Sequence, residues 1–207
     1  MELPPDLPVP VDDGAADHLP GSRMPSVRLP STGGRLVDLG ALPTQEIRRF
    51  REDPGLPPGL GPSRTVLYCY PRTGRPDRPV PDGWDAIPGA RGCTPESCGF
   101  RDRAGELTDL GAIVFGVSTQ SSEDQREAAE RLRLPFELLS DAGLDLARAL
   151  RLPTFRFESS TLLKRLTLVV RNGVIEHVFY PVFPPDRHAE EVVGWLSKSE
   201  CHMSSGG

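Results

Sequence analysis

The chain has 207 residues, 37 % of them apolar, and a formal net charge of −5. That length suits one domain carrying some extensions, and the acidic balance leaves no basic stripe for nucleic acid. No run approaches the ~18 apolar residues of a membrane span, and the opening "MELPPDLPVPVDDGAADHLP" lacks the basic and apolar regions of a secretory signal.

A cytoplasmic protein with no membrane partner is therefore expected. In that compartment closely spaced thiols serve catalysis or metal binding more often than structural bridging. The 23 prolines and 21 glycines exceed average usage. The prolines cluster at 4–10, 54–62, 71–95 and 181–185, a pattern of Pro-rich insertions on an ordinary core.

In chain order, residues 1–24 read as a disordered Pro-rich extension with little to bury. "SVRLPSTGGRLVDLG" reads as two short strands around the turn "STGG". "TQEIRRFRED" predicts a short polar helix, followed by the loop "PGLPPGLGPS". "TVLYCY" (65–70) is an unbroken apolar run of the kind found in a strand buried on both faces, with Cys69 a core thiol. A long irregular loop follows and leads directly to Cys93. Loops of that length in compact domains are usually functional or disordered.

"TPESCGFRDRAGEL" opens a helix, with Thr94 available as a cap and Pro95 and Glu96 suited to its first turn. "AIVFGVST" is a second buried strand. "SSEDQREAAERLR" is an amphipathic helix with Ser122 and Gln125 at capping-box spacing. "FELLSD" predicts a strand and "LDLARALR" a short helix. "RLTLVV" and "VIEHVFYP" form a hairpin turned by Asn172-Gly173. "RHAEEVVGWLSK" closes as a helix with Val192, Val193, Trp195 and Leu196 on its apolar face, and 199–207, which holds Cys201, reads as a flexible tail. Alternating buried strands and helices predict a single α/β domain over 25–198, a mixed β-sheet flanked by helices on both faces.

The chemistry concentrates in "RGCTPESCGF". Cys93 falls where a helix begins, and the unpaired N–H groups there favour a thiolate, so a lowered pKa and partial exposure are expected. Cys98 lies five residues on. In an intact helix the two Cα atoms are roughly 8–9 Å apart, whereas a disulfide tolerates about 4.4–6.8 Å. Any bond between them requires the helix to unwind, which suits a two-step oxidation through a sulfenic acid. Two inert core thiols fit poorly with such polar neighbours. A zinc site would need two more ligands, and the four histidines show no paired spacing, so no metal and no cofactor are expected.

"GCTPESCGFRD" (92–102) resembles the active-site segment of the peroxiredoxins, in their peroxiredoxin Q / bacterioferritin-comigratory-protein (AhpC/TSA-like) branch. "VLYCYP", "IVFGVST", "FELLSD" and "KRLTLVVRNGVIEHVF" resemble other segments of that branch in the same order, over about 25–197. The resemblance implies a thioredoxin-like fold and thiol-dependent reduction of hydrogen peroxide and organic hydroperoxides. It makes Cys93 the peroxidatic and Cys98 the resolving cysteine, closing an intramolecular disulfide that thioredoxin or a similar dithiol reopens. Arg165 matches the arginine that faces the thiolate. The proline and threonine that this branch carries seven and three residues before its peroxidatic cysteine are Ala86 and Ala90 here. Residues 74–91 therefore read as an active-site loop insertion, with Pro71 left to shield the site. Thr73 becomes the candidate peroxide-binding hydroxyl and Thr94 the fallback. Trp84 is expected to pack on its own loop, with the site mouth or a partner as alternatives. A monomer or weak homodimer is expected. A thiol–disulfide sensor or carrier using the same cysteine pair is the competing reading.

Overall fold

The computed structural model describes residues 3–42 and 63–204, with side chains to Ser199. The predicted helix over 44–53 and most of the loop after it lie outside the described residues. In chain order the strands and helices are β1 (Arg28–Pro30), β2 (Leu36–Asp38), β3 (Arg64–Cys69), α1 (Cys93–Asp102), α2 (Ala104–Asp109), β4 (Ala112–Ser118), α3 (Ser122–Leu132), β5 (Leu138–Ser140), α4 (Asp145–Leu150), β6 (Thr154–Phe157), β7 (Ser160–Leu163), β8 (Leu166–Arg171), β9 (Val174–Phe179) and α5 (His188–Ser204).

The main sheet has the order β5-β4-β3-β8-β9. β3 pairs parallel with β4 and antiparallel with β8, and β4 pairs parallel with β5. Every residue of β3 is buried, as expected of a central strand covered on both faces. Its period of two splits the core. Val66, Tyr68 and Tyr70 face a cluster with Phe100, Leu107, Ala128, Val192 and Leu196, contributed by α1, α2, α3 and α5. Leu67 and Cys69 face the opposite cluster, which holds Leu146 and Leu150 of α4 and a set of N-terminal residues. The mixed sheet with helices on both faces is as the pattern predicts.

Four local differences have physical causes. The expected single helix after Cys93 is two, because the backbone leaves helical geometry at Arg103 (φ −108°, ψ 12°). The cap of α3 is Ser121 rather than Ser122: its hydroxyl accepts from the Asp124 amide, while Gln125 turns inward to donate to Ser118 and to the Leu139 carbonyl. The hairpin β6–β7 was not expected from the sequence. β6 alternates over only four residues, TFRF, and in β7 Leu162 and Leu163 are adjacent, so neither run is long enough to stand out. The closing helix runs on to Ser204, so 199–204 continue the helix instead of forming a loose tail.

The largest correction concerns the N-terminus. The described part of 1–24 is packed rather than disordered, because its few apolar side chains fall where the sheet needs cover. Ala16, Leu19 and Met24 are buried in the α4-side core. Backbone bonds tie Gly21 and Met24 to the β9 edge, and Asp13 accepts from Lys164 at 2.6 Å and from the Tyr180 hydroxyl at 2.7 Å. Leu19 is fully buried. Leu19→Ala is expected to lower unfolding free energy by about 2–4 kcal/mol in a urea titration. It should also expose residues 3–24 to limited proteolysis; an unchanged midpoint would contradict this packing.

Candidate active site

Gly92 sets where α1 begins. Its φ of 102° is a left-handed value, and a Cβ built there would lie 2.3 Å from Pro185 Cγ, so both backbone and space require glycine. The next residue, Cys93, is the first of the helix. Its sulfur receives a hydrogen bond from Arg165 Nη2 at 3.1 Å, and the nearby Arg72 backbone N–H also favours its anion. Arg165 directly precedes β8 and is itself buried. The same Nη2 reaches the carbonyl of Arg91 at 3.2 Å, while Nη1 forms an ion pair with Glu96. Cys93 and Glu96 are three residues apart on one helix, so both face the same guanidinium.

Cys93 is only 3 % exposed, where partial exposure was expected. The expected lowering of its pKa is not found either. Burial pushes the Cys93 thiol up, Arg165 pulls it down, and the Glu96 carboxylate pushes it up again. Burial likewise raises Glu96, opposed by Arg165 and by His188. A helix N-terminus does favour an anion, but with the sulfur buried desolvation is the larger effect. Glu96 could be read from sequence only as a favourable first-turn charge. Its place beneath Arg165 depends on the packing of α1 against β8, which no local pattern reveals.

Cys98 lies half-buried further along the same unbroken helix, and Cys69 is buried in β3; all three thiols are free. Burial drives Cys69 far above the ordinary thiol range. Thr73, Thr94, Arg72, Gln120 and Cys93 line one cleft of about 690 Å³. Thr73 is 4 % exposed. Its backbone N–H and hydroxyl both donate to Gln120 Oε1, at 2.8 and 3.1 Å, and Gln120 Nε2 donates back to the Thr73 carbonyl. Gln120 carried no sequence signal, because it stands in a loop. Pro71 is buried just upstream. Trp84 is buried with Ala90 of its own loop, and it also packs on Phe157 of β6 (centroids 5.0 Å apart) and carries the Arg72 guanidinium over its ring at 4.3 Å. The 71–92 loop is thus fastened to the hairpin beside the cleft.

Residues 86–178 match the AhpC/TSA family. The chain is 34 % identical over 132 residues to the chloroplastic peroxiredoxin Q of Sedum lineare, covering 63 % of this chain and 62 % of that protein. It is 29 % identical over 174 residues to the chloroplastic peroxiredoxin Q of Oryza sativa subsp. japonica, covering 84 % and 64 %. It spans less than two thirds of the length of these curated relatives. Among solved structures, peroxidoxin BcpB of Mycobacterium tuberculosis superimposes with a TM-score of 0.65 at 26 % identity, over 87 % of this chain and 98 % of that one. The thioredoxin-like fold and the resemblance to the peroxiredoxin Q / bacterioferritin-comigratory-protein branch are borne out.

The opposed charges at Cys93 define a paired test. Arg165→Met is expected to raise the Cys93 pKa and Glu96→Gln to lower it, read from thiolate absorbance and iodoacetamide rate against pH. Shifts in one direction for both variants would contradict this balance.

Proposed function

We propose that this chain, a relative of the peroxiredoxin Q branch, is a thiol-dependent peroxidase acting on hydrogen peroxide and organic hydroperoxides. The observation that carries this reading is the contact of 3.1 Å between the buried Arg165 guanidinium and Cys93 Sγ at the floor of a cleft. A fixed cation beside the sulfur favours the thiolate and also the negative charge that develops on the leaving oxygen.

In the first step the Cys93 thiolate attacks one peroxide oxygen. An S–O bond forms, the O–O bond breaks, and the leaving alkoxide takes a proton to become an alcohol, or water from hydrogen peroxide. The Cys93 thiol is oxidised to sulfenic acid and the peroxide is reduced. The Thr73 hydroxyl gives its proton to Gln120, so its oxygen lone pairs remain to accept from the peroxide O–H. Among the described residues the Thr94 side chain has no such orienting partner, which favours Thr73. Pro71 shields this end of the site.

In the second step Cys98 Sγ attacks the sulfenic sulfur, releasing water and closing a Cys93–Cys98 disulfide. A dithiol of the thioredoxin kind then reduces that disulfide in two exchanges. Both cysteines belong to one intact helix, so resolution follows unwinding of its start. A sulfur as enclosed as Cys93 also suits a small oxidant better than a protein disulfide, which weighs against a thiol–disulfide carrier.

Cys93→Ser is expected to abolish peroxide consumption. Cys98→Ser should complete one turnover and leave a sulfenic acid that dimedone traps, seen by mass spectrometry. Normal multiple turnover of Cys98→Ser with thioredoxin would reject Cys98 as the resolving residue, and peroxide consumption by Cys93→Ser would reject the whole scheme.

A further inference from the structure

The Cys93 cleft is far larger than its smallest substrate needs. Its volume is about 690 Å³. A water molecule takes up about 30 Å³ of liquid, and hydrogen peroxide is only slightly larger, whereas pockets for sizeable organic ligands run ~300–1,000 Å³. The lining is also oddly charged for a chain of net charge −5. Arg72, Arg75, Arg78, Arg91 and Arg131 line the cleft, against only Asp124 and Glu158.

Most of these cations are already engaged. Arg75 pairs with Asp77 and Asp124, Arg91 with Asp85, and Arg131 with Glu127, while Arg78 stands at the exposed rim. Arg72 is different. Its guanidinium lies over the rings of Trp84 at 4.3 Å and Phe157 at 5.1 Å, and it has no carboxylate partner among the described residues. Stacking on aromatic faces fixes the plane of a guanidinium without using its N–H edge. That edge is the part that pairs with a carboxylate through two parallel hydrogen bonds. Trp84, Ala90 and Leu162 form the buried apolar footing beneath it, and exposed apolar surface is close at hand in Val80 of the same lining. Arg72 and Cys93 both line this cleft, so the stacked cation and the reactive sulfur open onto one space.

We propose that Arg72, held over Trp84 and Phe157, is a carboxylate subsite of the Cys93 cleft, which makes the cleft selective for organic hydroperoxides that carry an acid group on an apolar body. This substrate preference rests on the peroxidase reading; the subsite itself does not. The stacked pair acts as a shelf: the exposed Val80 of the lining takes the apolar body, and the Arg72 edge takes the acid. Hydrogen peroxide, too small to span shelf and sulfur, gains nothing from it.

Phenylbutyrate and phenylbutanol, alike in size but one anionic and the other neutral, test the subsite without turnover. Titration calorimetry on the full chain is expected to show the acid binding and the alcohol binding at least about tenfold more weakly, the loss of one charge-assisted pair. Arg72→Gln should erase most of that difference, and Arg72→Lys should restore part of it. Should Arg72→Gln fail to fold, the wild-type chain still decides: added salt should weaken the acid and leave the alcohol unchanged. Equal binding of acid and alcohol, or acid binding indifferent to both Arg72→Gln and salt, would overturn the proposal. A chain that binds the acid through Arg72 yet consumes no peroxide would keep the subsite and lose the peroxidase reading. One that turns over peroxides and ignores charge would do the reverse.

Discussion

The buried guanidinium of Arg165 is the contact on which the rest of the site depends. It is a full positive charge taken out of water, tolerable only because Glu96 and the Cys93 sulfur, with two loop carbonyls, surround it. Cys93 and Glu96 stand three residues apart on one helix, about 60° apart round its axis, so one cation serves both. Cys98, five residues from Cys93, is turned about 140° away. The arrangement that steadies the reactive sulfur therefore also keeps its partner sulfur out of reach. Resolution of the proposed kind would have to undo the ion pair that the site is built around.

Around this centre the chain uses segments with little structure of their own. The N-terminal residues form neither helix nor long strand, yet Leu19 and Met24 complete the core beneath α4, and Leu3 reaches the cleft beside Gly92. Their backbone bonds to β9 also cover an edge strand that would otherwise present unpaired groups. Asp13 ties this segment to Lys164, the neighbour of Arg165. The N-terminus is thus fastened one residue from the central cation.

Much of the fold was legible because strands buried on both faces leave continuous apolar runs, and β3, β4 and β8 do so plainly. The cysteine pair and Arg165 stood out through their segments, whereas α1 begins at Cys93 with Gly92 as its cap and not at Thr94, the cap that the sequence offered. What stayed hidden depends on distant packing. Three apolar side chains in a proline- and acid-rich stretch look like disorder until the face they cover is known. A glutamate in a first turn looks like a surface charge until an arginine some 69 positions away is found beneath it. The pKa direction at Cys93 misled for the same reason: the helix terminus is visible in sequence, but the burial of the sulfur is not.

How far α1 can unwind is set by what anchors its second half. Phe100 is fully buried, stacked on Tyr68 at 4.5 Å and edge-on to His188 at 5.7 Å. Gly99 lies close against α5, where a Cβ would meet that of Ala189 at 3.5 Å. Before that anchor the helix is held by polar contacts, from Arg165 to Glu96 and from the Tyr68 hydroxyl to Ser97. Polar groups released there can exchange their partners for water, whereas freeing Phe100 would open the apolar core. On the proposed scheme unwinding would accordingly be confined to 93–98, the stretch that must open for the two sulfurs to meet, while the sheet and its other helices keep their packing.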